Sequence, residues 1–183
     1  IIGAGIAGAL AAYKIARAGK TVVMLDAGPR FDFLSGERYE RAKRGEDPWD
    51  WEIPERDLYQ ESTSPRISLN ANRVKGVGGT TLKWNASALR LQPNDFKMQS
   101  LFGVGADWPI SYSDLEPWYF RAEQELGVAG KDSSSAPPRE DDFPLSNHPF
   151  SYADKHFFAP AFNKFGLSLA SNPLAINSRE YDN

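Results

Sequence analysis

The chain has 183 residues, enough at about 150 per domain for one domain or a little more with a real hydrophobic core, which excludes a disordered tail and a stapled miniprotein. Its 21 Lys and Arg stand against 24 Asp and Glu for a net charge of −3, without the basic excess that phosphate backbones or anionic lipid surfaces require. Cysteine is absent and His148 and His156 are the only histidines, so disulfides and cysteine nucleophiles are excluded and no metal site is marked, while the compartment, cytoplasmic or periplasmic, stays open.

Ile1-Ile2 runs straight into Gly3 and reads as the end of a hydrophobic strand whose start is missing. The far end, Pro173 to Asn183, offers neither a helix stop nor a closing strand, and the expectation is an internal piece truncated at both ends. Gly3, Gly5 and Gly8 match G-x-G-x-x-G and open an Ala-rich helix that closes at Ala18-Gly19. Thr21 to Leu25, β-branched and apolar between glycine-containing turns, reads as a buried parallel strand, so strand, helix and strand form one βαβ unit.

The three glycines by themselves are weak, because glycine turns after strands are common. Asp26 strengthens them: it lies eighteen residues past Gly8 at the C-terminal end of the second strand, where a carboxylate can accept hydrogen bonds from the ribose of an adenosine. The helix N-terminus would hold the diphosphate, so the reading is a dinucleotide site, with nicotinamide and flavin both open.

From Arg30 to Asn72 charged and aromatic residues alternate with Pro48, Pro54 and Pro65, a long excursion expected to cover something or to hide a short helix around Glu37 to Arg44. Within it Trp49-Asp50-Trp51 suits either sugar stacking or the anchoring of the loop to a core. Gly76 to Thr81 is a second glycine turn. It is either an ordinary loop with a Thr-Thr cap, or a row of N–H groups and hydroxyls able to cradle phosphate or the edge of a flavin ring.

Ser113-Asp114-Leu115-Glu116 has capping-box spacing, and Leu115, Trp118, Tyr119, Ala122 and Leu126 recur at helical intervals, predicting an amphipathic helix that stops at Gly127. Lys131 to Asp142, with three serines, two prolines and a cluster of charges, reads as a solvated loop or linker. Phe150, Tyr152, Phe157, Phe158, Phe162 and Phe165 form an aromatic segment, helical from about 153 to 165 with Pro160 as an interruption, and expected to pack as core. No stretch is long and apolar enough for a transmembrane span, and no internal repeat is visible.

In order along the chain, Gly3 to Gly8, Asp26-Ala27-Gly28-Pro29, Gly76 to Asn85, Gln92-Pro93-Asn94-Asp95-Phe96 and Asp107 to Tyr112 resemble the glucose-methanol-choline (GMC) oxidoreductases. The likeness covers roughly residues 1–131 and is nearest the subgroup of pyranose oxidase and the gluconate, sorbitol and fructose dehydrogenase flavoproteins. It implies an α/β fold, a doubly wound, Rossmann-like FAD-binding domain that is incomplete here, over residues 1–109, with the excursion at 30–72. Residues 110–183 would then hold a connecting helix and the start of a substrate-binding domain.

The resemblance also implies FAD, with adenosine and diphosphate at Gly3, Gly5, Gly8 and Asp26, and the ring system near Gly78, Gly79, Thr80, Thr81, Lys83, Trp84 and Asn85. Lys83 stands where members with covalent FAD carry histidine, which points to noncovalent FAD; it is either a solvated side chain or a positive charge beside the reduced ring. The implied reaction is oxidation of a CH–OH group of a sugar, polyol or related alcohol by hydride transfer to flavin. Electrons would pass on to oxygen, a quinone or a cytochrome subunit. The base of that reaction is a histidine in a motif that neither His148 nor His156 matches, so no catalytic residue is assigned in this chain and the piece alone is expected to be inactive. A nicotinamide-dependent dehydrogenase and a noncatalytic nucleotide-binding remnant remain as alternatives.

Overall fold

A computed structural model describes residues 1–30, 36–46, 73–133 and 136–181. The chain divides into two compact units, Ile1–Asn85 and Ala86–Asn183.

In the first unit the chain enters as an extended segment, passes through α1 (Ile6–Arg17) and returns beside its own start. The Gly3 N–H donates to the Leu25 carbonyl at 2.7 Å and the Leu25 N–H to the Ile1 carbonyl at 2.9 Å, a parallel pairing across a helical crossover as the βαβ pattern demands. Gly19, in the left-handed conformation at φ 73°, ends α1: its N–H donates to Ala16 and that of Lys20 to Ile15, the paired bonds of a Schellman stop. Residues 76–78 join the same frame, with the Val77 N–H bonded to the Pro29 carbonyl and the Gly78 N–H to the Ala4 carbonyl, both at 2.9 Å.

One expectation fails here. Residues 21–25 are not a buried strand: the pairing is a single bridge at Leu25, and Val23 is 69% exposed. A parallel strand is buried only between two layers of helices, and among the described residues of this unit Ala4 is the buried hydrophobic residue, so no second layer among them covers the pairing. The short helix foreseen near 37–44 is present as α2 (Gly36–Lys43), whereas Trp49-Asp50-Trp51 lies outside the described residues.

The second unit is built round α4 (Tyr112–Leu126). Before it, a 3-10 turn (Pro93–Lys97) and α3 (Met98–Phe102) carry Phe96 into the centre, where its ring meets Trp108 at 5.5 Å and Tyr112 at 6.3 Å, both edge-on. After α4 come β1 (Ala129–Gly130) and β2 (Leu145–Ser146), paired parallel, with Leu174 antiparallel to Ala129 on one side and to Ser87 on the other. Val128, Ala129 and Leu145 fill the space beneath.

Helix α4 has the foreseen stop at Gly127, but its cap and inward face differ from expectation. Ser111, not Ser113, is the cap: Asp114 accepts the Ser111 backbone N–H at 2.8 Å and its hydroxyl at 2.6 Å. Glu116, read as the capping acid, instead turns inward with Tyr112 and Glu123, while Trp118 of the expected apolar stripe is exposed. The physical reason is Arg90, whose buried guanidinium pairs with both carboxylates and so offsets the cost of taking them out of water.

The aromatic segment is helical, and its packing is also a correction. A wide π turn (Asp154–Phe158), with the Ala159 N–H donating to Asp154 five residues back, runs directly into α5 (Ala159–Asn163). The widening sits just before Pro160, which has no N–H for a regular turn and whose ring would press on the carbonyl four residues earlier. The rings expected in a core lie outside: Phe157 is 64% and Phe165 79% exposed, because no described element of this unit lies over them.

Candidate dinucleotide site

Three tight turns of the first unit converge on one cleft of about 740 Å³. Gly3 and Gly5, Asp26, and Gly79 with Thr80 all line it, from segments far apart in sequence. Their convergence follows from backbone contacts that side chains would block. A Cβ on Gly8 would lie 2.0 Å from the Gly3 carbonyl oxygen, and one on Gly28 would lie 2.4 Å from the Lys75 carbonyl and the Gly76 nitrogen. Gly78 adopts φ 105°, a conformation costly for any residue with a side chain.

Gly5 is different. Its φ is −72°, open to every residue, and beyond its chain neighbours a Cβ there would meet no atom of the described residues within 4 Å. Neither strain nor packing asks for glycine at this position, and the open space lies in front of the first turn of α1. That turn has no side-chain cap and no acidic residue, and the first bond into the helix is from Ala9 to Gly5, so the N–H groups of Ile6, Ala7 and Gly8 have no intrahelical acceptor. The helix dipole adds partial positive charge at the same point.

Asp26 is exposed at the cleft and braces it. One carboxylate oxygen accepts the Ala4 N–H and the other the Gly28 N–H, both at 2.8 Å, and these two bonds, that from Ala4 foremost, hold the carboxyl below the usual carboxylate range. A carboxylate has about four acceptor positions, so the pair leaves lone pairs for ligand hydroxyls. The sequence reading gave Asp26 only a ligand role; the structure adds a positioning role toward the first glycine turn.

The second glycine turn is a short 3-10 element, Gly79–Lys83, fastened by the Thr81 hydroxyl to the Gly78 carbonyl. Thr80 lines the cleft and its hydroxyl accepts the Val74 N–H at 3.4 Å. Gly8, Gly78, Thr81 and Lys83 support these turns without lining the cleft, and Trp84 and Asn85 follow as exposed residues at the end of the unit. Arg73 and Lys75 line the cleft and were not singled out from sequence; two cations immediately before a glycine turn were the available signal.

Outside this unit the histidines have other partners. His148 Nε2 lies 3.0 Å from the Ile176 carbonyl, and the exposed His156 ring stacks at 4.2 Å on Tyr152. Among the described residues no group of three or more potential ligands could hold a metal ion, and no helix is long and apolar enough to cross a membrane.

The NAD(P)-binding Rossmann-like domain family matches residues 1–45, the segment that holds the first two turns. The fructose dehydrogenase large subunit of Gluconobacter japonicus is 38% identical, the match covering 100% of this chain and 37% of that protein. The gluconate 2-dehydrogenase flavoprotein of Pantoea cypripedii is 25% identical over 100% of this chain and 36% of its own length. The 2-methyl-1,2-propanediol dehydrogenase of Mycolicibacterium austroafricanum is 30% identical over 71% of this chain and 24% of that protein. The chain thus spans little more than a third of the curated relatives it matches along its whole length. The relatives matched here are named as dehydrogenases of a sugar, a sugar acid and a diol, one of them a flavoprotein, alongside a dinucleotide-binding domain family at the N-terminal end of the chain.

Proposed function

We propose that this chain is the dinucleotide-binding part of a flavin-dependent oxidoreductase that oxidises a CH–OH group of a sugar, polyol or related alcohol. The observation that carries the binding role is Gly5, a glycine that neither backbone strain nor packing among the described residues requires, at a helix N-terminus with no side-chain cap. The names of the relatives, a flavoprotein among them, support FAD as the dinucleotide and sugars or polyols as substrates.

In this reading the N–H groups of Ile6, Ala7 and Gly8 take the diphosphate, and Asp26 offers its remaining lone pairs to the ribose. Arg73 and Lys75 add positive charge along the same cleft. Gly79 and Thr80 line the cleft on the side assigned to the ring system, and Gly78, Thr81, Lys83, Trp84 and Asn85, in or next to the same turn, would lie near it. Bound flavin supplies a two-electron acceptor for hydride. Lys83 at the position discussed above is consistent with noncovalent attachment, and a cytochrome, a quinone or oxygen would take the electrons onward. Residues 1–109 would then serve the cofactor and residues 110–183 open the substrate-binding part.

The test is direct. The protein is purified, its visible spectrum recorded, and the released chromophore identified after denaturation. FAD released without proteolysis supports the reading and its noncovalent form; a chromophore that stays with the polypeptide overturns the noncovalent part. A colourless protein that binds NADH and not FAD would mean a nicotinamide enzyme. FAD that neither a sugar nor dithionite reduces would mean a noncatalytic remnant.

A further inference from the structure

Gly28 belongs to neither glycine turn, yet the second is seated on it. Its φ lies outside the left-handed region, so the backbone does not call for glycine there. What calls for it is space: an added Cβ would stand 2.4 Å from the Lys75 carbonyl carbon and oxygen and from the Gly76 nitrogen, backbone atoms that cannot swing aside as the end of a side chain would. Hydrogen bonds close the contact on both sides. The Gly28 N–H donates to one oxygen of Asp26 at 2.8 Å, and the carbonyl of the next residue, Pro29, accepts the Val77 N–H at 2.9 Å.

Ala4 completes the link between the turns. Its N–H donates to the other oxygen of Asp26 at 2.8 Å, its carbonyl accepts the Gly78 N–H at 2.9 Å, and a Cβ on Gly79 would come to 3.5 Å from the Gly5 Cα. The two turns are therefore joined backbone to backbone. The first presents Gly3, Gly5 and Asp26 to the cleft and the second presents Gly79 and Thr80, while Gly28 itself does not line it.

We infer that Gly28 is a positioning residue, and that the seat it provides for the second turn gives the cleft its preference for a whole dinucleotide over the nucleotide half alone. A methyl at Gly28 needs about 1 Å more room to reach ordinary contact, and a misplacement of that size is enough to lose a ligand's alignment. The segment that must yield, Lys75 and Gly76, leads directly into Gly79 and Thr80, whereas Gly3, Gly5 and the first turn of α1 have no contact with the added methyl. The adenosine diphosphate half keeps its partners and the remainder of the dinucleotide loses its own. The inference rests on the flavin reading for the identity of that remainder.

Calorimetric titration of the full chain with ADP and with FAD tests it, the readout being the ratio of the two affinities, which a general loss of stability does not move. The parent is expected to bind FAD more tightly than ADP. In Gly28→Ala, FAD is expected to bind at least roughly tenfold more weakly with ADP affinity unchanged, and the absorption bands of the bound flavin to shift toward those of free FAD. Gly5→Ala, in front of the diphosphate, is expected to weaken both ligands together. Thr81→Val removes the hydroxyl that fastens the second turn to the Gly78 carbonyl without adding bulk, and is expected to lower the ratio as Gly28→Ala does, with Thr81→Ser restoring it. Equal loss of ADP and FAD in Gly28→Ala, or a parental ratio in Gly28→Ala or in Thr81→Val, would overturn the inference, and the Thr81 pair decides it even if Gly28→Ala does not fold. A parent that does not prefer FAD to ADP sinks the flavin reading itself, and the inference with it; a parent that prefers FAD, with variants that keep the preference, sinks the role of Gly28 alone.

Discussion

Gly5 and Gly8 occupy one motif for opposite reasons, and a pair of alanine substitutions separates them. Gly8→Ala forces a methyl to within 2.0 Å of the Gly3 carbonyl, so the helix must move off the turn, and the melting temperature of the first unit should fall by several degrees. Gly5→Ala meets no described atom and, as a change of the helix N-cap, should lower the melting temperature less than Gly8→Ala while FAD affinity drops at least roughly tenfold; a flavin fluorescence titration read beside a thermal melt distinguishes the two. If Gly5→Ala binds FAD as tightly as the parent, the open space in front of α1 is not where the diphosphate sits. Asp26 gives a third residue-level case. Because the Ala4 and Gly28 N–H groups lower its pKa, its bracing is complete above the ordinary carboxylate range and fades as pH falls through the lower folded value. Asp26→Asn presents one N–H donor group to another and is expected to weaken FAD binding at neutral pH and to remove the acid-side decline expected of the parent, measured by titrations at pH steps from 7 down to 3.

At the scale of the element, α4 shows how a helix can bury charge. Its positions 112, 116, 119 and 123 follow helical spacing and meet Arg90: the rings of Tyr112 and Tyr119 lie 6.0 Å apart, and the guanidinium sits 5.6 Å over the Tyr119 ring. Glu123 carries a second guanidinium, that of Arg139, so the helix joins the loop after β1 to the segment before it through one carboxylate. Burial alone would push the Arg90 guanidinium down, but the bonds to Glu123, Tyr112 and Glu116 outweigh it and hold the group firmly protonated. Arg90→Met keeps much of the volume but leaves buried Glu116 with only the Glu140 N–H and Glu123 with only Arg139, and should cost about 3 kcal/mol in denaturant unfolding, well beyond an ordinary surface change. Glu116 supplies the pH signature: its bond from Arg90, helped by the Glu140 N–H, lowers its pKa from the ordinary 4.5. Its stabilising contribution is therefore whole above that value and is lost as pH falls through the lower folded one, so Glu116→Gln should flatten the acid limb of the stability curve. At the helix start, Ser111→Ala removes the capping hydroxyl and should cost about 1 kcal/mol, with Ser113→Ala near zero.

For the whole molecule, the distribution of apolar surface matters more than its amount. The first unit leaves Val23, Leu25 and Tyr13 open on either side of its short parallel pairing, and the second leaves Tyr152, Phe157 and Phe165 open along one helical segment. Exposed aromatic clusters of this kind drive self-association. The 183-residue chain should bind a hydrophobic dye and show concentration-dependent mass in sedimentation, and Phe157→Ser with Phe165→Ser should reduce both. Dye binding and mass identical in parent and double variant would place the sticky surface elsewhere.

The residue types in the glycine turns made the first βαβ unit legible before any coordinates, since glycine spacing, a β-branched run and an acid eighteen residues on are local constraints on backbone and ligand alike. The span and stop of α4 were legible for the same reason: Ser111, Asp114 and Gly127 act within a few residues of themselves. Which face of that helix turns inward was not, because hydrophobic periodicity counts Glu116 and Glu123 as surface, and only the approach of Arg90 from 26 and 33 residues away makes their burial affordable. The aromatic run was misread in the opposite sense. Sequence fixes that Phe157 and Phe165 are apolar, but burial needs a second surface, and whether one lies over them is decided by the arrangement of the whole chain.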